Sequence, residues 1–338
     1  MTVLFATHPA CLEHLAGPHH PERPERLEAV LRGVTASGVG DGVRTIEPRW
    51  ATRDEIVRVH PGGYLDAIER VCAAGGGRLD PDTLASEGTW NAVLCAAGAG
   101  LTAIEILDAG GGESAFCAVR PPGHHATAAE SMGFCIVNNV AVAAAELAER
   151  GERVLIVDYD AHHGNGTQDI FYADGRVLYV SIHQWPLYPG TGRPHELGEG
   201  GGWGTTLNIP VPPGATGDVY LAAFDRLAAP IVDQFRPTWA IVSAGFDAHR
   251  LDPITELGLS SADYPALTRR ILDTVAPGRR LVMLEGGYDL DALTASTAAV
   301  VRELAGLPSE PVEDTTSGGP GMAQVDGIVR MLSEAGLA

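Results

Sequence analysis

Apolar residues in this chain fall into two kinds of pattern, short unbroken runs and longer stretches with helical spacing, and the two alternate from end to end. Val3–Ala6 reads as a first buried strand. A loop dense in His and Pro follows, from residue 7 to 24. Leu27, Val30, Leu31 and Val34 then recur at the three- and four-residue spacing of an amphipathic helix that runs out near Gly33 and Gly38. Residues 52–60 and 63–72 predict two short helices, and the Gly- and Asp-rich stretch 75–88 a flexible connection with Asp80 and Asp82 exposed. Thr89–Asp108 predicts a long Ala-rich helix with a small-residue face suited to close packing on a sheet. Strands are expected at 115–120, 154–157, 177–182, 207–211, 239–243 and 281–284. Helices are expected between and after them at 138–150, 167–172, 218–235, 262–276, 291–304 and 323–332. Residues 308–321, rich in Pro, Gly, Ser and Thr, read as a surface loop, and 185–204 as a long Gly-rich loop of the kind that either frames a pocket mouth or stays mobile. Strand and helix in alternation, with no repeat and no linker, predict one α/β domain over 1–338 built on a central, mostly parallel sheet flanked by helices.

The 338 residues and 45% apolar content leave ample core. Charge changes the picture more. Asp and Glu number 43 against 23 basic residues, a formal charge of −20, and every basic residue is Arg. Nucleic-acid binding needs a basic face, so it is not expected. The absence of lysine excludes a P-loop lysine, a Schiff-base lysine and a lysine general base. Five cysteines, odd in number and without a CxxC pair, read as buried thiols in a reducing compartment. The apolar run near the start is too short for a signal peptide, and no uninterrupted apolar stretch of spanning length is evident, so the chain is expected to be cytoplasmic and not membrane-bound.

Chemistry concentrates where strands end. The apolar run 154–157 gives way to Asp158, Asp160 and His162, at every second position. In an extended chain such positions share one side, so two carboxylates and an imidazole converge as a metal-ligand set. The strand expected at 115–120 runs into Pro121 and Pro122, which deny the chain a helix or ladder and present His124 and His125 from a stiff loop. Two further apolar runs deliver Asp247 and, after Glu285-Gly286-Gly287, Tyr288. In open parallel sheets ligands sit beyond the carboxyl ends of strands. A set of Asp160, His162 and Asp247 leaves coordination open for water, the pattern of a catalytic zinc. Zinc lowers the pKa of its water to about 7, two adjacent histidines supply base and acid, and a tyrosine hydroxyl can donate to an oxyanion. Hydrolysis of an amide or similar acyl bond is the expected reaction. The segment 19–24, His-His-Pro-Glu-Arg-Pro, is read as a turn rather than a lip over this pocket.

The motifs RPPGHHA (120–126), GFC (133–135), DYDAHHGNGTQ (158–168), SAGFDAHRLDP (243–253) and EGGY (285–288), in this order, resemble the zinc-dependent histone deacetylases and their bacterial relatives, including acetylpolyamine amidohydrolases. The likeness spans about residues 1 to 305 and implies a three-layer, arginase/deacetylase-like fold. It implies zinc, with iron(II) or cobalt also accepted by such a set, on Asp160, His162 and Asp247. Tyr288 would polarise the acyl carbonyl, His125 would be the main general base and acid, and His124, oriented by Asp158, its electrostatic partner. Gly133 and Phe134 would form one wall of an acyl-lysine tunnel and Tyr188, where the family usually has Phe, the other. Burying four methylenes there contributes at most about 3 kcal/mol. Asp82 would be the rim carboxylate that holds the substrate backbone. An inner potassium site would use Asp158, Ser181 and backbone groups of Asp160, His162 and Ile182.

Departures from the family pattern refine these expectations. Asn165 replaces an Asp found in one branch, so the base histidine lacks an ionised orienter and should be less basic, as in the second class of deacetylases. Ile254 stands where the polyamine-selective member of that class has a gatekeeping Glu, which weakens a polyamine substrate. Only 119 residues precede RPPGHH, leaving little room for the long insertion of dimeric acetylpolyamine enzymes. The expected substrate is an acetylated lysine side chain. The alternatives are an acetylated polyamine or other small amide and, from another class, an idle acyl-lysine-binding module. Arginase-like dimetal hydrolysis wants more metal carboxylates than these strand ends show.

Overall fold

The central strands of this chain are buried along almost their whole length, which demands cover on both sheet faces and therefore helical crossovers between parallel neighbours. A computed structural model describes residues 1–308 and 312–337. Its strands are β1 (Val3–Ala6), β2 (Val43–Ile46), β3 (Gly76–Arg78), β4 (Leu84–Ser86), β5 (Ser114–Cys117), β6 (Val154–Asp158), β7 (Val177–Gln184), β8 (Thr206–Val211), β9 (Trp239–Ala244) and β10 (Arg280–Leu284). The helices are α1 (Glu25–Ala36), α2 (Arg53–Ile56), α3 (Gly62–Ala73), α4 (Thr89–Asp108), α5 (Asn139–Glu149), α6 (Asn165–Phe171), α7 (Gly217–Ala223), α8 (Ala229–Phe235), α9 (Asp263–Leu272), α10 (Leu290–Leu304) and α11 (Met322–Glu334).

Eight strands form one sheet in the order β2-β1-β5-β10-β9-β6-β7-β8, and every pairing in it is parallel. Helices α4 and α5 pack on each other and on the central strands, while α1, α9 and α10 form a second packed group, with α11 against α7 and β8. Register aligns the strand ends. Asp158 at the end of β6 lies beside Ser181 of β7 and Ser243 of β9, and Leu284 of β10 beside Ala244 of β9. The loops leaving β5, β10, β9, β6 and β7 therefore rise side by side from one edge of the sheet, which is the geometry that lets distant segments meet.

Several elements differ from the sequence expectation, each for a physical reason. The stretch 75–88 is no flexible connection. It folds back as the β3–β4 hairpin, with Arg78 opposite Leu84, around a turn in which the Asp80 carboxylate accepts the Asp82 N–H at 2.9 Å. Glycines at 75–77 hide the two-residue period. Strand β2 escapes the pattern because it is an edge strand whose Arg44 and Thr45 face solvent. The helix expected at 218–235 starts at Gly217 and loosens into a π turn at Phe224–Ala228, since Pro230 has no N–H to return to the preceding turn. Strand β5 stops at Cys117, three residues short of Arg120, and the first of the two short helices shrinks to α2, opened by a Thr52–Glu55 capping box. Helix α4, at 20 residues with a mean hydropathy of 1.5, is long and apolar enough to cross a membrane by length and composition, contrary to the sequence expectation, but 72% of that stretch is buried inside the fold.

Candidate active site

Asp160, His162 and Asp247 meet in the loops just beyond the ends of β6 and β9. Each offers one ligand atom, and the three atoms lie within 4.8 Å of one another. His162 Nδ1 stands 3.1 Å from Asp160 Oδ1 and 3.0 Å from Asp247 Oδ2. The other carboxylate oxygen of each Asp is tied to the backbone: Asp160 Oδ2 accepts the Gly286 N–H and Asp247 Oδ1 the Ala161 N–H, both at 2.8 Å. Asp247 thus keeps Oδ2 for the site, while Asp160 Oδ1, which faces His162 Nδ1, also accepts the His162 N–H at 2.9 Å. Glycine is needed at 245 and 286 for this approach, since a Cβ would lie 2.0 Å from Asp160 Oδ2 at the first and 2.3 Å from Asp247 Oδ2 at the second.

The electrostatics of this cluster are those of a site that wants a cation. Burial, followed by the charge of Asp160, pushes Asp247 up to about 7. Burial works against the His162 imidazolium, but hydrogen bonds and charge from both carboxylates outweigh it and raise the group to about 10. Two buried carboxylates this close repel each other, and a divalent ion between them and Nδ1 relieves that repulsion, so the donor set fits a metal with nitrogen and oxygen ligands. His124, Cys135 and Glu285 also have ligand atoms within 4.8 Å of one another. There the Glu285 carboxylate is already engaged by the N–H groups of Gly123 and His124 and by the Ser243 hydroxyl, at 2.7, 3.1 and 3.1 Å.

The histidine pair stands beside the triad with ring centres 4.0 Å apart. Their environments drive them in opposite directions. His124 Nδ1 is 3.0 Å from Asp158 Oδ2; burial opposes its charge, but Asp158 and Asp160 override that and hold it up to about 10. His125 Nδ1 is 2.8 Å from the Asn165 side-chain oxygen; burial, then the charges of His124 and His162, press it well below its ordinary value. The neutral Asn165 amide orients His125 and favours its charged form, but by less than burial and the two neighbouring imidazoles oppose it. His163, the neighbour of His162, faces away from the site, bound to Thr191 and Gln168 at 2.7 and 3.0 Å.

A cavity of about 250 Å3 leads to these groups, lined by Asp82, His125, Gly133, Phe134, His162, Leu187, Tyr188, Ile254 and Tyr288. Every substrate-binding residue expected from the sequence is among them, and Leu187 is an addition. Tyr188 meets the His125 ring edge-on at 5.2 Å and Phe134 meets Tyr288 edge-on at 5.9 Å, so both aromatic rings line the cavity beside its reactive groups. Asp82, expected to be exposed, is half-buried, with its carboxylate accepting the Gly133 N–H at 3.0 Å and the Thr83 hydroxyl at 2.9 Å. The next N–H, of Phe134, goes to the Thr83 hydroxyl at 3.1 Å, and this holds Phe134 at a φ of 69°. Larger recesses of about 450 and 610 Å3 lie elsewhere and contain none of the strand-end cluster.

The segment 19–24 is a lip, not a mere turn. His20 packs edge-on against Phe134 at 4.6 Å, with Nε2 3.3 Å from the Asp82 carbonyl oxygen. What clamps it is Glu22, fully buried between Arg120, whose Nε and Nη2 each donate at 2.5 Å, Arg26 at 3.2 Å and His14 at 3.3 Å. Arg26 then donates to the carbonyls of Gly287, at 2.7 Å, and Glu285, and its guanidinium lies 4.8 Å from the Tyr288 ring centre. Breaking such a buried ion network by removing one partner costs about 3–5 kcal/mol. Nothing local marks Glu22 and Arg26 as buried; the only sequence signal is a four-residue acid–base spacing beside two prolines.

Comparison with known proteins agrees with this geometry. The histone deacetylase domain family matches residues 20–304. The chain is 39% identical over 314 residues to a probable deacetylase of Archaeoglobus fulgidus, covering 91% of this chain and 87% of that one. It is 35% identical over 330 residues to a histone deacetylase-like amidohydrolase of Pseudomonas aeruginosa, covering 90% and 87%. Histone deacetylase 15 of Arabidopsis thaliana is 40% identical over 307 residues, 88% of this chain and 55% of that longer protein. The crystal structure of the HDA15 HD domain superposes with a TM-score of 0.91 at 35% identity, over 99% of this chain and 96% of that one. With the fold, the strand-end cluster and these relatives in agreement, the chain belongs to the histone deacetylase family and is a hydrolytic deacetylase.

Proposed function

We propose that this enzyme is a metal-dependent deacetylase of N-acetylated lysine side chains. The observation that carries the reading is the convergence of Asp160, His162 and Asp247 beside a cavity that His162 lines together with the polar groups of His125, Tyr288, Tyr188 and Asp82. A divalent ion held by the three ligands, zinc in the first instance with iron(II) or cobalt as alternatives, would act as a Lewis acid toward the acyl carbonyl and acidify a water molecule.

The protein groups then divide the work. His125 donates Nδ1–H to Asn165, which leaves its Nε2 as the acceptor for the proton lost by water. Burial keeps Tyr288 protonated at neutral pH, so its hydroxyl can donate to the acyl oxygen as negative charge develops there. The imidazolium of His124 adds a fixed positive charge next to the pair. As the C–N bond breaks, the proton held by His125 passes to the departing amine, and acetate and a free amine result. Asp158 and Ser181, adjacent across β6 and β7, would with the backbone of Asp160, His162 and Ile182 hold a structural potassium ion. The five cysteines, all free and buried, support a reducing, cytoplasmic setting.

Tunnel shape supports an acyl-lysine. Phe134 and Tyr188 line a slot for a four-methylene chain, Asp82 offers its carboxylate to a peptide N–H, and Leu187 and Ile254 add apolar surface to the same cavity. An idle binding module would not need a proton-accepting His125, a paired His124 and Tyr288 together. Turnover of acetyl-lysine peptides, acetylputrescine and acetylspermidine, measured with metal content on one sample, tests the reading. Peptides are expected to be hydrolysed with at least about tenfold higher kcat/KM, a difference of about 1.4 kcal/mol in transition-state binding. Preference for the polyamines would overturn the lysine assignment, and no turnover of any of the three would overturn the deacetylase reading.

A further inference from the structure

Asp252 is a buried acid, 7% exposed, in the loop that follows β9. Its carboxylate is met by main-chain N–H groups rather than by a cation. Oδ2 accepts from Tyr288 at 2.8 Å and Oδ1 from Ile254 at 3.1 Å. A buried charge without a counter-ion is costly, so its position calls for a purpose. Those two partners are 34 residues apart in sequence and both line the reaction cavity.

The peptide that carries the Tyr288 N–H is held at its carbonyl side by Arg26, whose Nε donates to the Gly287 oxygen at 2.7 Å, which leaves the N–H side to Asp252. Gly286 and Gly287 precede it, the latter at a φ of 117°, and offer no side chains to wedge the loop. Gly286 N–H is taken by Asp160 and its carbonyl by Phe246 N–H; beyond Tyr288, Asp289 turns to cap α10. The Tyr288 N–H is therefore set by Asp252, just as the Gly286 N–H is set by a member of the triad. The loop bearing Asp252 is itself pinned from below, because Glu313 binds His249 at 2.9 Å, Arg250 at 2.6 Å and the Ser261 N–H at 3.0 Å.

We propose that Asp252 is a positioning residue: by holding the N–H groups of Tyr288 and Ile254 with one carboxylate, it sets the reach of the tyrosine hydroxyl and ties it to the shape of the cavity. This rests on the deacetylase reading above and goes beyond it by naming what aims the oxyanion donor. Asp252→Asn keeps the shape but replaces one acceptor oxygen by an amide donor, which cannot accept an N–H.

The experiment is a double-mutant cycle on the metal-loaded enzyme with an acetyl-lysine peptide, combining Asp252→Asn with Tyr288→Phe. Asp252→Asn alone should lower kcat by about 10–100-fold, the scale of a displaced catalytic group, with KM changed less than about threefold and metal content and Tm near wild type. Added to Tyr288→Phe, it should lower kcat by less than about twofold, since the hydroxyl it aims is gone. A loss of equal size in both backgrounds, or wild-type kcat in Asp252→Asn, would overturn the proposal. If the Asn variant does not fold, Asp252→Ser in the same cycle is read the same way. A wild-type enzyme idle on every acetylated amine would refute the deacetylase reading, whereas an active wild type with an unimpaired Asp252→Asn refutes the positioning role alone.

Discussion

Tyr288→Phe is expected to lower kcat on an acetyl-lysine peptide by about 10²–10³-fold, the cost of deleting one oxyanion donor, while leaving metal stoichiometry and KM close to wild type. The ring stays useful without its hydroxyl. It packs edge-on against Phe134 at 5.9 Å and under the Arg26 guanidinium at 4.8 Å, and phenylalanine preserves both contacts. The hydroxyl acts only as charge develops on the acyl oxygen, so its loss falls on kcat rather than on substrate binding. Steady-state kinetics with metal analysis on the same preparation checks this. A Tyr288→Phe enzyme turning over within about threefold of wild type would remove Tyr288 from the chemistry.

Asp160→Ala is expected to be the more damaging change, abolishing stoichiometric metal binding and reducing turnover to background. One ligand of three disappears, and with it the acceptor for the N–H groups of His162 and Gly286. The loop carrying Tyr288 thus loses an anchor along with the ion. His124, whose Nε2 lies 3.9 Å from Asp160 Oδ1, loses one of the three carboxylate charges that favour its imidazolium. Equilibrium dialysis against zinc, followed by elemental analysis, reads the first effect without relying on activity. One equivalent of metal retained by Asp160→Ala would contradict the ligand assignment.

A residue's role is legible in the sequence when its neighbours along the chain announce it. Asp158, Asp160 and His162 are of this kind, because a two-residue polar period directly follows four apolar residues; strand geometry is only part of the reason, since β6 ends at Asp158 and the bend beyond it carries Asp160 and His162 to Asp247 while Asp158 pairs with His124. Asp247 and Tyr288 are legible because each follows an apolar run at a strand's carboxyl end, and the ordered motifs link them to a family. Buried charges are not legible in this way. Glu22, Arg26 and Asp252 look like ordinary solvated residues of loops and a helix until the fold brings Arg120, the Gly287 carbonyl and the Tyr288 N–H against them. The β3–β4 hairpin escapes for a related reason: its glycines give no alternation, and its stability comes from the turn at Asp80 and from the grip of Asp82 on Gly133, 51 residues away. The lip at 19–24 reads as a turn because its purpose lies in the distant contacts of His20 and Glu22.

The central claim is that a single divalent ion is bound by Asp160, His162 and Asp247, and its most direct test is a crystal of the wild-type protein with data collected on both sides of the zinc, iron and cobalt absorption edges. The expected result is one anomalous peak within bonding distance of His162 Nδ1 and the carboxylates of Asp160 and Asp247, changing at a single edge. A peak among His124, Cys135 and Glu285 instead, or no peak in a crystal of protein that is active in solution, would contradict it.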